Sequence, residues 1–243
     1  MSNPRIYQAS EFTRDSLVTL SDDAFGHVVR VLRLKPGDHI TLFNGDGCDY
    51  QARLVDVEKK RATAEITDIN KVENESPLDI HLGQGISRGD RMDFTLQKSV
   101  ELGVNTITPL FTERCGVKLN AERLDKKRQQ WQKIVIAACE QSGRAKVPQV
   151  LAPLSLQEWT QQQTEALKIN LHPRAKTSIM GLAQVTQKVR LLIGPEGGLT
   201  VEEIEQASDA GFVEVLMGPR VLRTETAALT AITALQCKFG DLV

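Results

Sequence analysis

A chain of 243 residues with 41% hydrophobic and 25% charged residues has the composition of an ordinary globular protein, long enough for one large domain or two modest ones. The formal net charge of −1 argues against a nonspecific nucleic-acid coat, though it says nothing of local basic faces. No run is long and apolar enough to span a bilayer, and the opening MSNPRIYQAS lacks the apolar stretch of a signal peptide, so a cytoplasmic location is expected. Cys48, Cys115, Cys139 and Cys237 form no CxxC pair and the histidines no HxxxH spacing, so reduced thiols and no metal site are expected.

The first stretch with clear periodicity, SDDAFGHVVRVLRL, predicts a helix capped by Ser21 and ended by KPGD. On such a helix His27, Arg30 and Arg33 recur every third residue, each about 60° round from the last, and form a stripe. It is either a solvated face or a phosphate-binding one. HITLF, CDYQARLVDV and RATAEITDI follow, joined by NGDG and EKK, and fit a small antiparallel barrel. KVENESPLD reads as a linker, which divides the chain into 1–75 and 76–243.

Beyond it the pattern alternates. LDIHLGQGI, NTITPLF, ALKINLHP, VRLLIGPEGG and FVEVLMG read as strands. DRMDFTLQKSVELGV, AERLDKKRQQWQKIVIAACEQSG, TVEEIEQASDAG and the final ETAALTAITAL read as helices. The fold class is therefore α/β, with a mostly parallel sheet covered on both faces. Ligands of such sheets sit at the carboxyl ends of strands, here NLHP, IGPEGG and LMGPRVLR. The basic stretch from Lys118 to Lys133, with Arg123, Lys126, Lys127 and Arg128, reads as a solvated helix face. Cys139 lies at helical spacing in IVIAACEQSG and reads as a core thiol, against the alternative of a nucleophile.

In IGPEGGLTVEE, Thr200 and Glu203 make a capping box and Gly211 closes the helix. The loop is either a tight connection or a ligand cradle. Pro195 stiffens it, and Glu196 in its middle would repel a phosphate. No GxxxxGK[ST] is present, and Gly83-Gln-Gly85-Ile-Ser-Arg-Gly89 carries its last glycine one position late for a dinucleotide fingerprint. A ligand with hydroxyls or positive charge suits better, and S-adenosylmethionine has both. Gly218-Pro219 is a second shaped turn, with Arg220 and Arg223 beyond it and Thr224 as expected N-cap. The helix that follows is apolar on most faces, which suggests a covering partner.

IGPEGGLT, followed by MGPRVLRTETA, strongly resembles the SPOUT methyltransferases, and among them the RsmE family of 16S ribosomal RNA uridine-N3 methyltransferases. HVVRVLRLKPGD, LGQGISRGDRMDFTLQKSVELGV, TPLFTERCGVK and NLHPRA extend the resemblance over the whole chain. The departure is Met217 where leucine is common, a change that conserves volume. The resemblance implies a SPOUT domain with a C-terminal trefoil knot, preceded by a PUA-like RNA-binding β-barrel. It implies a homodimer, and an activity on N3 of one uridine, 1498 in reference rRNA numbering, in the assembled small ribosomal subunit. S-adenosylmethionine would be held by Leu171, His172, Gly194, Glu196, Gly197, Gly198, Leu216, Gly218, Val221, Leu222 and Thr224. Arg223 is the expected catalytic cation, because negative charge develops on uracil oxygens as N3 loses its proton. His27, Arg30, Arg33, Arg88 and Arg91 are the expected RNA contacts. Rival readings are a non-catalytic RNA chaperone and a SPOUT enzyme acting on a ribose 2′-hydroxyl of transfer RNA.

Overall fold

The computed structural model describes residues 3–116, 121–183 and 186–242. Lys118 of the basic stretch lies outside them. The chain divides into two compact units, Met1–Glu75 with Cys139–Val147, and Ser76–Ala138 with Pro148–Val243. The sequence reading has Cys139–Val147 in the second.

The first unit holds β1 (Arg5–Tyr7), β2 (Leu17–Thr19), α1 (Asp22–Phe25), β3 (His39–Phe43), β4 (Cys48–Val57) and β5 (Ala62–Lys71). Its sheet runs β1-β3-β4-β5-β2. The three long strands are antiparallel as expected, but β1 pairs with β3 in parallel. Between the edge strands, the Gln8 amide donates to the Thr19 carbonyl and accepts from the Ser21 N–H, at 3.1 and 2.8 Å. Alternate positions such as Ile40, Leu42, Ala52, Leu54, Ala64 and Ile66 form the core. Arg5 adds a clamp: its guanidinium meets Asp49 at 2.6 Å and donates to the Cys139 carbonyl at 2.8 Å. Cys139 is fully buried and burial pushes its thiol up to about 12, which makes it an inert core thiol.

The expected helix from Ser21 is corrected. Ser21 does cap it, accepting from Ala24 N–H, but α1 gives way after Phe25 to a π-helical segment, Gly26–Val31. The Leu32 N–H to His27 carbonyl bond spans five residues, which widens the turn and destroys three-residue spacing. Arg33 lies beyond the segment at φ +57°, and Arg30 stacks over Phe25, 5.4 Å from the ring centre. His27, Arg30 and Arg33 therefore form no helical stripe.

The second unit contains β6 (Asp79–Gly85), α2 (Asp90–Glu101), β7 (Thr106–Phe111), α3 (Ala121–Ser142, whose last residues belong to the first unit), β8 (Gln149–Val150), β9 (Leu154–Ser155) and α4 (Leu156–Thr160). After these come β10 (Leu167–Leu171), β11 (Thr177–Ser178), β12 (Lys188–Ile193), α5 (Val201–Asp209), β13 (Val213–Leu216) and α6 (Thr224–Phe239). The sheet order is β11-β13-β10-β12-β6-β7-β8, and every assigned pairing in it is parallel. Arg91 lies in the first turn of α2. Lys126–Glu122 and Arg128–Asp125 pairs fit the solvated reading of the basic helix.

Two packing details explain residues the sequence leaves unassigned. A Cβ on Gly83 would stand 2.5 Å from the Trp159 ring, so glycine lets α4 lie on the sheet. Arg190 packs over the same ring: its guanidinium is 4.1 Å from the Trp159 centroid and donates to the Trp159 carbonyl and the Gln162 side-chain oxygen. His81 Nε2 lies 2.8 Å from the Thr108 hydroxyl and 3.4 Å from Trp159 Nε1. Burial, with Arg190 nearby, lowers its pKa to about 4.

Helix α6 is covered within its own unit more than its composition suggests. Ala228, Ala231, Ile232, Leu235 and Gln236 are buried, and Gln236 donates to the Leu102 carbonyl and accepts from Ser76. Thr230 and Thr233 turn their hydroxyls onto the carbonyls four residues back and so behave as apolar positions.

Candidate functional site

The carboxyl ends of β10, β12 and β13 open onto a cleft of about 780 Å³. Of the expected cofactor residues, Leu171, His172, Gly194, Glu196, Gly197, Gly198, Gly218, Val221, Leu222 and Thr224 line it, as does Arg223, the expected catalytic cation. Leu216 does not: it ends β13 in register with Ser178 of β11, and Met217 takes the wall instead. Arg91 lines the cleft and Arg88 does not; His27, Arg30 and Arg33 belong to the first unit.

The loop after β12 is fixed from several sides. A Cβ on Gly85 would fall 2.5 Å from Pro195 N, so the end of β6 and this loop meet backbone to backbone. Gly198 has φ +68° and donates to the Pro195 carbonyl, closing the turn. Arg114 Nη1 donates to the Gly197 carbonyl at 3.1 Å. Glu196 accepts from the Arg88 N–H at 2.9 Å and faces Arg91 at 3.4 Å. Its carboxylate thus ties the loop to the start of α2, a loop-shaping role. The capping box of Thr200 and Glu203 is present, and Glu203 also accepts from the Glu113 N–H.

Thr224 is buried but is not the N-cap. Arg223 occupies that position without a side-chain cap bond. The Thr224 hydroxyl donates to the Gly194 carbonyl at 2.6 Å and accepts from the Gln84 amide at 3.0 Å. This joins the start of α6 to the loop after β12 and the end of β6. Before it, the loop from Met217 turns at Gly218, φ +105°, and exposes Val221 by 83%.

Five arginines line the cleft, and their partners sort them. Arg91 and Arg114 engage the loop after β12, whereas Arg174, Arg220 and Arg223 are exposed, their side chains making no ion pair or hydrogen bond among the described residues. Four acids sort likewise. Glu196 is bound as above; Glu214 accepts from Ser208 and lies 3.3 Å from His172 Nδ1; Glu205 is exposed to solvent. Glu225 is half-buried, and its Oε2 is sealed from water with no donor. Gln84, Arg114, Arg174, Glu205 and Glu214 escape the sequence reading. Arg114 was open to the strand-end rule, since it follows β7 by three residues.

A two-unit chain with a parallel sheet, a cleft at its strand ends and a small β domain has the architecture of an RNA methyltransferase with a SPOUT fold and a PUA-like domain. The RNA methyltransferase domain model matches residues 74–236, and the RNA methyltransferase PUA domain model matches 20–71. Ribosomal RNA small subunit methyltransferase E of Buchnera aphidicola (from Schizaphis graminum) is 42% identical over 242 residues, 98% of each chain. The Bacillus subtilis protein of that name is 30% identical over 226 residues, 89% of this chain and 88% of its own. The Neisseria gonorrhoeae enzyme of that name, solved with S-adenosylmethionine, is 44% identical with a TM-score of 0.93, covering 100% of both chains. A Legionella pneumophila protein solved with the same cofactor is 46% identical, TM-score 0.97, again over 100% of both. The chain belongs to the ribosomal RNA small subunit methyltransferase E family.

Proposed function

We propose that this protein transfers the methyl group of S-adenosylmethionine to N3 of one uridine of 16S ribosomal RNA, uridine 1498 in reference numbering, within the assembled small subunit. The observation that carries the reading is the convergence of three strand-end loops on one cleft, where the side chains of Arg174, Arg220 and Arg223 have no partner among the described residues. The walls fit the cofactor. A Cβ on Gly198 or Gly218 would point into open space, which leaves room for close backbone approach, and Glu205 and Glu214 suit a cationic ligand. When bound, the cofactor supplies an electrophilic methyl on a sulfonium.

The backbone of 171–172, 194–198 and 217–222 holds the nucleoside, with Thr224 fixing the loops relative to one another. Leu216 acts from behind, by setting where Met217 begins. Arg223 stabilises the negative charge that grows on O2 or O4 of uracil as N3 loses its proton, an effect worth about 3–4 kcal/mol for one well-placed donor. Residues 1–75 serve as the RNA-binding PUA-like domain, with His27, Arg30 and Arg33 as separate phosphate contacts rather than one stripe. Arg88 and Arg91 meet RNA beside the cleft. The half-buried positions of α6, Leu229, Thr230, Thr233 and Ala234, suit a homodimer interface, and the C-terminal segment is threaded as a trefoil knot. The protein works in the cytoplasm.

The test is transfer of labelled methyl to small subunits from a strain deleted for the gene, with naked 16S RNA and bulk transfer RNA in parallel, followed by nucleoside mapping. N3-methyluridine in the assembled subunit alone is expected. Label on a ribose or in transfer RNA would overturn the substrate reading, and no cofactor binding would leave an RNA chaperone.

A further inference from the structure

We infer that Glu225 is the group that removes the N3 proton of the target uridine, an inference that rests on the methyl transfer proposed above. Loss of that proton is the difficulty of the reaction. An imide nitrogen that keeps its proton has no free lone pair for the methyl carbon, so a nearby acceptor lowers the barrier.

The four cleft carboxylates are not equivalent candidates. Glu196 is held by the Arg88 N–H and Arg91, and moving it would release the loop it shapes. Glu214 accepts from Ser208 and lies 3.3 Å from His172 Nδ1, and Glu205 stands in solvent on α5. Glu225 alone combines three features: it lines the cleft, receives no hydrogen bond or ion pair from the described residues, and has one oxygen shut off from water. The sealed oxygen is as closed to substrate as to water, so the substrate N–H meets the other oxygen, on the cleft side, and the desolvated carboxylate gains from taking up a proton there. Its position is also fixed. Thr224, one residue before it, is anchored to Gly194 and Gln84, and Arg223, two residues before it, faces the same cleft. Acceptor and cation therefore flank a single anchored residue, one suited to the proton and the other to the oxygens of the same uracil.

In the step, Glu225 takes the proton from N3 as the N–H electron pair becomes the nitrogen lone pair. That pair forms the bond to the methyl carbon, and the carbon–sulfur bond breaks with its electrons going to sulfur. The products are N3-methyluridine, the neutral thioether and a protonated Glu225, which returns its proton to water.

The experiment compares wild type, Glu225→Gln and Glu225→Asp on small subunits carrying uridine or 5-fluorouridine. Fluorine at C5 makes N3–H more acidic, so the fluorinated base depends less on a protein acceptor. On uridine, Glu225→Gln is expected to slow single-turnover methyl transfer about 100-fold or more while cofactor affinity stays within about twofold. On 5-fluorouridine the deficit relative to wild type should shrink at least about tenfold, and Glu225→Asp should lie between the two enzymes. An equal deficit on both bases, or none, would overturn the inference and leave Glu225 a charge at a helix N-terminus. Loss of cofactor binding in Glu225→Gln would overturn it in favour of a binding role. Nucleoside mapping of the wild-type product separates these results from a failure of the reaction itself: methyl found anywhere but N3 refutes the reading beneath.

Discussion

The two glycine-containing loops of the cleft look alike in sequence and differ in their commitments. IGPEGGLT is held by Arg114, by Glu196 on the start of α2, by its own Gly198–Pro195 bond and by backbone contact with Gly85. Among the described residues MGPRVLR has no comparable bonds across its tip and leaves the Arg220 and Arg223 side chains unpaired, and it exposes Val221. One wall is preorganised; the other is left for ligand to complete. Changes in the first loop should therefore register as stability, and changes in the second as turnover.

The largest expected effect breaks the rigid wall. In Gly85→Ala the new methyl would meet Pro195 N at 2.5 Å and the Gly194 carbon at 2.9 Å, and neither atom can swing aside as a side chain does. A loss of about 3 kcal/mol or more is expected, read as a fall in denaturation midpoint together with cofactor affinity. An unchanged midpoint would mean that the loop is not held through this contact. Arg223→Ala tests the opposite wall. It should leave the melting curve alone, since the Arg223 side chain has no partner among the described residues, and reduce single-turnover transfer about 100- to 1000-fold with cofactor affinity nearly intact. Unchanged turnover would remove Arg223 from the mechanism.

How much of this contrast was legible follows from which interactions are local. The long strands and helices, the capping box at Thr200 and the strand-end rule all depend on residues near one another in sequence, and the rule points at the three loops of the cleft; the eleven cofactor residues, ten of which line it, were implied by the family resemblance. The bond between Gln84 and Thr224 spans 140 positions, so no local pattern could separate an anchored Thr224 from an N-cap. The π-helical segment failed for a related reason: Val28 and Phe25 are buried where an α-helix would also bury them, and the altered pitch shows only in its hydrogen bonds. Strands such as β1 and β2, three residues each, are too short to carry a period. Glu196 was legible as loop-shaping or ligand-binding, and only its Arg88 partner decides between them.

A smaller effect should come from the sheet beneath the rigid wall. His81, on the strand that ends at Gly85, has its folded pKa lowered to about 4 from 6.5 by burial, helped by Arg190. The unfolded chain takes up a proton near pH 6.5 and the folded one does not, so stability is full above that pH and falls as pH drops toward 4. The loss amounts to about 2–3 kcal/mol across that window. Unfolding free energies measured between pH 7 and 4 should show this slope in wild type and lose it in His81→Gln, whatever that variant's stability at pH 7. A slope that survives the substitution would assign it to other groups.

The finest test sets two glycines against each other. Gly198 at φ +68° and Gly218 at φ +105° both lie where L residues are strained, and a Cβ at either would meet nothing within 4 Å. Steric overlap is thus absent from both, and alanine at each costs only backbone strain, about 1–2 kcal/mol. The loops should dispose of that strain differently. Gly198 sits between the bonds of Arg114 and of its own turn, so the strain stays in place and Gly198→Ala should lower the melting temperature with little change in turnover per folded molecule. Around Gly218 few bonds oppose a shift, so the loop can move to relieve the strain, carrying Arg220 and Arg223 with it. Gly218→Ala should therefore melt close to wild type and transfer methyl several-fold more slowly, because misplacing one charge-stabilising donor by a fraction of an ångström already weakens it. Equal melting losses in the two variants would show that the loop from Met217 is as firmly held as the other, and that its bare arginines owe their position to the protein rather than to what binds there.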